Sequence, residues 1–214
     1  MVVGRKKKKI KLAMSRRQRT VLIVVCVLAA GVAVWLDRQA GSGLRRRIVQ
    51  TWPRNDVEKY NGRKFTVVNI VDGDTLDIDI ADGKYKHTRV RLLGIDTPET
   101  GAGKTEAMYY GQEATEFARS LALGKRVTVF LDSKSKTRDR YGRLLAHLKL
   151  EDGRIVNEEL VAGGFAYADL RFANDRFKEY VGLQAEAKAH KKGLWNQVTT
   201  EQLPRWLQRE RPGD

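Results

Sequence analysis

KFTVVNIVDGDTLDIDI, residues 64–80, decides the fold of this 214-residue chain. It is rich in β-branched residues and is broken once, at Asp72-Gly73. Beyond the break Leu76, Ile78 and Ile80 alternate with Asp77 and Asp79, a period of two that marks a half-buried strand. The alternation puts Asp77 and Asp79 on a solvated face. Asp82-Gly83 is a hairpin signal, and HTRVRLLGI (87–95) follows as the partner strand. There Arg89 and Arg91 share one face and Val90 and Leu92 the other.

Further along, TPETGAGKTEAMYYG (97–111) reads as a loop. A helix is predicted over 112–123, with Ala114, Phe117, Ala118 and Leu121 on one stripe and Gly124 as its stop. KRVTVFL (125–131) and RLLAHLKL (143–150) read as strands, with a turn at Asp152-Gly153. Asn157 is the predicted N-cap of a short helix through Leu160. A last helix spans 174–191, with Phe177, Val181 and Ala185 on its stripe, and stops at Gly193. Five short strands and three helices lack the strand–helix alternation of a doubly wound sheet. They fit a mainly β fold with helices: a five-stranded OB-fold barrel.

Three pieces carry the chemistry: VDGDT (71–75), RLLGIDTPE (91–99) and DRYGR (139–143). Asp74 shares the face of Leu76, Ile78 and Ile80, so it sits at the rim of the core where a strand begins. Asp96 and Glu99 follow the partner strand, and the hairpin brings the three carboxylates to one mouth of the barrel. Clustered carboxylates need a cation, and an all-oxygen set points to a hard ion, Ca²⁺ or Mg²⁺. The alternate-position acids of an EF-hand are absent. Arg91 lies close by on its strand, and Arg143 follows a tight Tyr-Gly turn. Two guanidiniums, a metal and a spare carboxylate make a parts list for phosphodiester hydrolysis. GAGKT (101–105) is no P-loop, since Pro98 stands where the first glycine belongs.

From about Lys64 to Asn196 the chain resembles the staphylococcal nuclease (thermonuclease) family. VDGDT, RLLGIDTPE, YYGQEA, DRYGRLLA, VNEELVAGG and GLWN occur in that family's order. The resemblance implies an OB barrel with three helices and a calcium site on Asp74, Asp96 and the main-chain carbonyl of Thr97, with Asp72 nearby. It also implies that Glu99 orients or deprotonates the attacking water. Arg91 and Arg143 would neutralise the transition state, and Tyr141 and Lys104 would touch substrate. The implied activity is cleavage of DNA and RNA, single strands preferred, to 3′-phosphate ends by a monomer. The tyrosines that flank the nucleotide in the best-known member fall on Leu170 and Phe172 here, and Tyr167 is the candidate replacement. The competing functions are a non-catalytic nucleic-acid-binding module of the same fold and a phosphodiesterase acting on an extracellular nucleotide.

The net charge of +15 does not by itself argue for nucleic acid. Residues 1–54 hold fourteen Lys or Arg and one acid, giving +13; the other 160 residues hold 27 basic and 25 acidic, giving +2. Nine of the basic residues precede an apolar run, VLIVVCVLAAGVAVWL (21–36). As a helix this run is about 24 Å long, slightly short of the ~30 Å hydrocarbon core, a gap that Arg19 and Arg38 can bridge by snorkelling. The expected organisation is a basic cytoplasmic leader (1–19), a transmembrane signal-anchor (20–37), a linker (38–62), an extracytoplasmic nuclease domain (63–197) and a C-terminal tail (198–214). A cleaved signal peptide that releases a secreted domain, and a buried core helix, are the other readings of the run. The single cysteine, Cys26, excludes a disulfide framework and multi-thiolate zinc, and His87, His147 and His190 show no metal-binding spacing.

Overall fold

The computed structural model describes residues 56–101 and 106–209. The leader, the expected membrane span at 20–37 and the linker up to residue 55 lie outside the described residues, as does Lys104. Among the described residues no helix is long and apolar enough to cross a membrane.

Five strands close into a barrel. They are β1 (Lys64–Ile70), β2 (Thr75–Ile78), β3 (Thr88–Leu92), β5 (Arg126–Phe130) and β6 (Leu144–Leu150), in the order β1-β2-β3-β6-β5. All neighbours are antiparallel except β3 and β6. Closure rests on β1. Its first half (64–66) pairs with β5, its second half (67–70) with β2, and a bulge between Val67 and Asn69 lets it serve both. Val67, Leu76, Ile78, Val90, Val129 and Leu148 fill the interior, each worth roughly 1.5–3 kcal/mol on burial.

Two short strands, β4 (Ile95–Asp96) and β7 (Tyr167–Ala168), pair beside the barrel. Three helices pack around it: α1 (Gly111–Ala122), α2 (Val156–Ala162) and α3 (Phe177–Ala189). Two 3₁₀ turns, Gly193–Asn196 and Thr200–Gln202, lead to a short α4 (Arg205–Arg209). Packing reaches beyond 63–197 on both sides. Tyr60, in a helical stretch at 56–60, is fully buried in the main core, and Leu203 and Leu207 are buried with Tyr167 and Leu194 in a second cluster.

Several local expectations are corrected. Asp77 is only 8 % exposed, because its carboxylate accepts bonds from Arg89 Nε (2.9 Å) and Nη2 (3.2 Å) and from Asn69 Nδ2 (3.0 Å). A paired carboxylate tolerates burial that an alternation pattern assigns to solvent. Asn157 is not an N-cap. It is fully buried, its Oδ1 accepts from Leu148 N and its Nδ2 donates to Leu93 O, which ties β6 to the bend after β3. The buried face of α3 is Tyr180, Gln184 and Ala187, not Phe177, Val181 and Ala185. Polar tips turn the helix: Tyr180 Oη lies 2.7 Å from His147 Nδ1, and Gln184 Oε1 accepts from Ala168 N.

Gly73 is required for space. A Cβ there would meet Thr97 Oγ1 at 2.8 Å and Thr97 Cβ at 2.9 Å, so a side chain would push the β1–β2 turn away from the residue after β4. Gly182, exposed within α3, has nothing within 4 Å of its would-be Cβ. Gly73→Ala is therefore expected to destabilise the fold by about 1–3 kcal/mol, and Gly182→Ala to stabilise it by about 0.5–1 kcal/mol. Urea unfolding of the two variants checks both signs.

Candidate active site

The turn between β1 and β2 is closed by hydrogen bonds from Val71 N and Asp72 N to Thr75 O, and by Asp72 Oδ1 accepting from Asp74 N. Asp74 is thereby aimed inward and is only 6 % exposed. Its Oδ2 accepts from Thr97 N (2.9 Å) and Thr97 Oγ1 (3.1 Å) and pairs with Arg91 Nη1 at 2.9 Å; its Oδ1 accepts from Thr75 Oγ1 (3.1 Å).

Arg91 comes from the middle of β3, facing out of the barrel interior. The chain bends directly after β3. Leu93 O is held by Asn157 and Gly94 O by Asp169 N, and Gly94 has φ 77°. The bend turns β4 back so that Asp96 Oδ1 receives Arg91 Nη2 at 2.7 Å. Arg91 Nη1 also donates to Ile95 O at 2.8 Å, which locks the guanidinium between the two acids.

Arg143 starts the run into β6. Asp139 organises its turn, accepting from Tyr141 N and Arg143 N on Oδ1 and from Arg143 Nε on Oδ2 at 2.7 Å, while Gly142 supplies φ 80°. Arg143 Nη1 donates to Thr75 Oγ1 at 3.3 Å, so Thr75 links it to Asp74. Tyr141 is 67 % exposed beside this arginine, whose guanidinium lies 5.4 Å from the ring.

Glu99 is exposed, and its carboxylate makes no hydrogen bond or ion pair among the described residues. Its backbone is fixed: Glu99 O accepts from Met108 N, and Gly111 packs so closely on Glu99 O that no side chain fits there. The structure thus joins Asp74, Arg91, Asp96, Thr97 and Arg143 in one bonded network, with Tyr141 at its edge and Glu99 two residues beyond Thr97. Tyr167, the candidate nucleotide-wall aromatic, is buried, whereas Phe172 is exposed.

Three members of the network have no counterpart in the sequence reading. Trp206 Nε1 donates to Asp96 Oδ2 at 2.8 Å. Arg171 Nη2 lies 3.3 Å from the same oxygen and 2.8 Å from Asp169 Oδ2, and its guanidinium stacks 4.6 Å from the Trp206 ring. The spacing of Leu203, Trp206 and Leu207 around Pro204 is an amphipathic signal that could have drawn the last segment into the fold.

Four carboxylates, those of Asp72, Asp74, Asp96 and Asp169, meet two guanidiniums, Arg91 and Arg171. Burial first, and the neighbouring Asp74 charge with it, push the carboxyls of both Asp72 and Asp96 up to about 6, even though Arg91 draws each of them down. An oxygen-only cluster short of positive charge suits a hard divalent cation. Among the described residues no three acidic, His or Cys side chains form a preformed cage, so main-chain oxygen and water would complete the coordination.

A closed β1-β2-β3-β6-β5 barrel with acids and arginines joined at one rim defines an OB-type domain built to handle a phosphate ester. The staphylococcal nuclease homologue family matches residues 89–197, half of the chain, and the chain belongs to that family. It is similar to a thermonuclease of Staphylococcus hyicus, 34% identical over 137 residues, which are 64% of this chain and 78% of the relative. A thermonuclease of Staphylococcus intermedius is 38% identical over 133 residues (62% and 75%), and an uncharacterized endonuclease of Escherichia coli is 37% identical over 145 residues (68% and 84%).

Because Asp72 and Asp96 hold their protons more tightly folded than unfolded, the folded chain takes up protons as pH falls toward about 5. In chelator, stability contributed by these groups is absent at about pH 7 and gained on going to about pH 5. From about pH 7 to pH 5 the melting temperature of the unaltered protein is expected to rise relative to that of Asp96→Asn, which lacks the Asp96 contribution. A scan of melting temperature against pH checks it.

Proposed function

We propose that this protein is a divalent-cation-dependent nuclease that hydrolyses DNA and RNA, preferring single strands, to 3′-phosphate and 5′-hydroxyl ends. One observation carries the reading: buried Asp74 is held at once by Arg91, which also grips Asp96, and by Thr75, which also receives Arg143. Membership of the nuclease family and relatives named thermonuclease and endonuclease support it.

Asp74, Asp96 and the Thr97 carbonyl would hold the ion, Ca²⁺ with Mg²⁺ as the alternative, and the bound ion supplies charge that polarises a phosphate oxygen. Glu99, without a side-chain partner among the described residues and on a fixed backbone, takes a proton from the attacking water. The water oxygen forms the new bond to phosphorus as the bond to the 5′ oxygen breaks. Arg91 and Arg143 neutralise the charge that builds on the phosphoryl oxygens, and Arg143 also stabilises the leaving oxygen, which takes a proton from solvent to end as a hydroxyl. Tyr141 and Lys104 contact substrate phosphate.

On denatured DNA, activity is expected with Ca²⁺ or Mg²⁺ and none in chelator. Glu99→Gln should lower kcat by about 10²–10⁴-fold, and Arg143→Ala by about 10²–10³-fold. A Glu99→Gln enzyme of undiminished rate removes the assigned base. Cutting that never appears, with single strands still bound, leaves a non-catalytic binding module.

The membrane assignment is part of the same proposal. The apolar run at 21–36, behind nine basic residues, anchors a monomer with its nuclease domain outside the cytoplasm. Carbonate extraction of cells should leave the full-length chain in the membrane pellet, and added protease should reach its domain in intact spheroplasts. A shortened chain in the medium would mean that the run is a cleaved signal.

A further inference from the structure

A cleft of about 740 Å³ opens beside the candidate active site, between the β2–β3 hairpin and the turn that carries Arg143. Tyr141 and Arg143 form one lip; Lys84, Tyr85, Lys86 and His87 form the other. The two walls are fixed to each other by Arg138. It binds both oxygens of Asp56 (2.8 Å each) and both of Asp82 (2.6 and 3.2 Å), and it donates to Gly142 O at 2.9 Å. Asp82 belongs to the hairpin and Gly142 to the turn, so one half-buried guanidinium ties the two walls of the cleft together. The bonds to Asp56 and Asp82 raise the Arg138 pKa and keep it charged.

The acids lining the cleft are already matched. Arg138 takes Asp56 and Asp82, and Arg89 takes Asp77. Lys84 and Lys86, both exposed, have no acidic partner among the described residues, and Arg140 bonds only Tyr141 Oη, at 2.6 Å. The unmatched charge of this surface is therefore positive. Two exposed aromatic rings accompany it, Tyr85 at 64 % and Tyr141 at 67 %. The Lys84 ammonium lies 5.4 Å from the Tyr85 ring and the Arg140 guanidinium 4.7 Å from the Tyr141 ring. Within the cleft, His87 Nδ1 is buried without a hydrogen-bond partner.

We infer that this cleft is an extended subsite for single-stranded nucleic acid, holding nucleotides beyond the phosphate that is cut. Unmatched cations beside exposed aromatic rings suit a strand whose phosphates need charge and whose bases need a flat surface. An acidic peptide would satisfy the lysines and leave the rings unused. The subsite deepens the nuclease reading and rests on it. It makes cleavage depend on substrate length, because a dinucleotide spans only the reacting phosphate and a longer strand also engages the hairpin.

The test uses the full-length protein and two variants, Lys84→Ala/Lys86→Ala and Tyr85→Ala. Steady-state kinetics are run on a single-stranded 20-mer and on a 5′-phosphorylated thymidine dinucleotide. The double variant should raise KM for the 20-mer about tenfold and flatten its log–log salt dependence by about 1.4. Tyr85→Ala should raise that KM at least about fivefold and keep the salt slope. Both should leave kcat and the dinucleotide parameters unchanged. An equal effect on the two substrates, or none on either, overturns the subsite while the nuclease reading stands. If the unaltered protein cuts neither substrate, the nuclease reading fails, and anisotropy of a labelled 20-mer then tests the cleft alone. Equal affinity of the unaltered and double-variant proteins, or competition by polyglutamate as effective as by oligonucleotide, would overturn the subsite.

Discussion

The structure depends on two acids gripped by one arginine. Asp74 comes from the β1–β2 turn and Asp96 from β4, and Arg91 of β3 brings the two together. Asp74 also receives both the amide and the hydroxyl of Thr97, and Thr75 connects it to Arg143. These bonds tie the β1–β2 turn to β3, to the residues of and just after β4, and to the start of β6. A carboxylate this buried is tolerable only while its donors stay in place, since leaving one without partners costs several kcal/mol.

The site remains short of positive charge even so: burial first, and the Asp74 charge with it, lets Asp72 and Asp96 hold protons up to about 6 despite Arg91. The deficit is local. The 160 residues after Arg54 are nearly neutral, and the basic excess lies in the residues before them. Charge on the domain is arranged by position. An acidic cluster lies at the rim, with arginines around it, and lysines without an acidic partner among the described residues stand on the adjoining hairpin.

The barrel was legible because period-two alternation, the Asp72-Gly73 break and Gly124 report backbone geometry directly. The meeting of Asp74, Arg91, Asp96 and Arg143 was legible because they sit at strand ends and turns within short motifs. Features set by partners distant in sequence were not legible. Asp77 is buried because Arg89 pairs with it, and Asn157 is a buried brace because Leu93 and Leu148 need bonds. The buried face of α3 contains Tyr180 and Gln184, whose polar tips an apolar stripe cannot register. Trp206 was hidden for the same reason: its partner Asp96 lies 110 residues earlier in the chain.

Under the proposed function Asp74 and Asp96 share a divalent cation. A crystal structure of the protein grown with Ca²⁺ tests this most directly. One ion is expected about 2.3–2.6 Å from a carboxylate oxygen of each residue and from the Thr97 carbonyl, with Arg91 still bound to at least one acid. Crystals grown at saturating Ca²⁺ with Arg91 bridging both acids and no ion between them, or with the ion bound elsewhere, would contradict it.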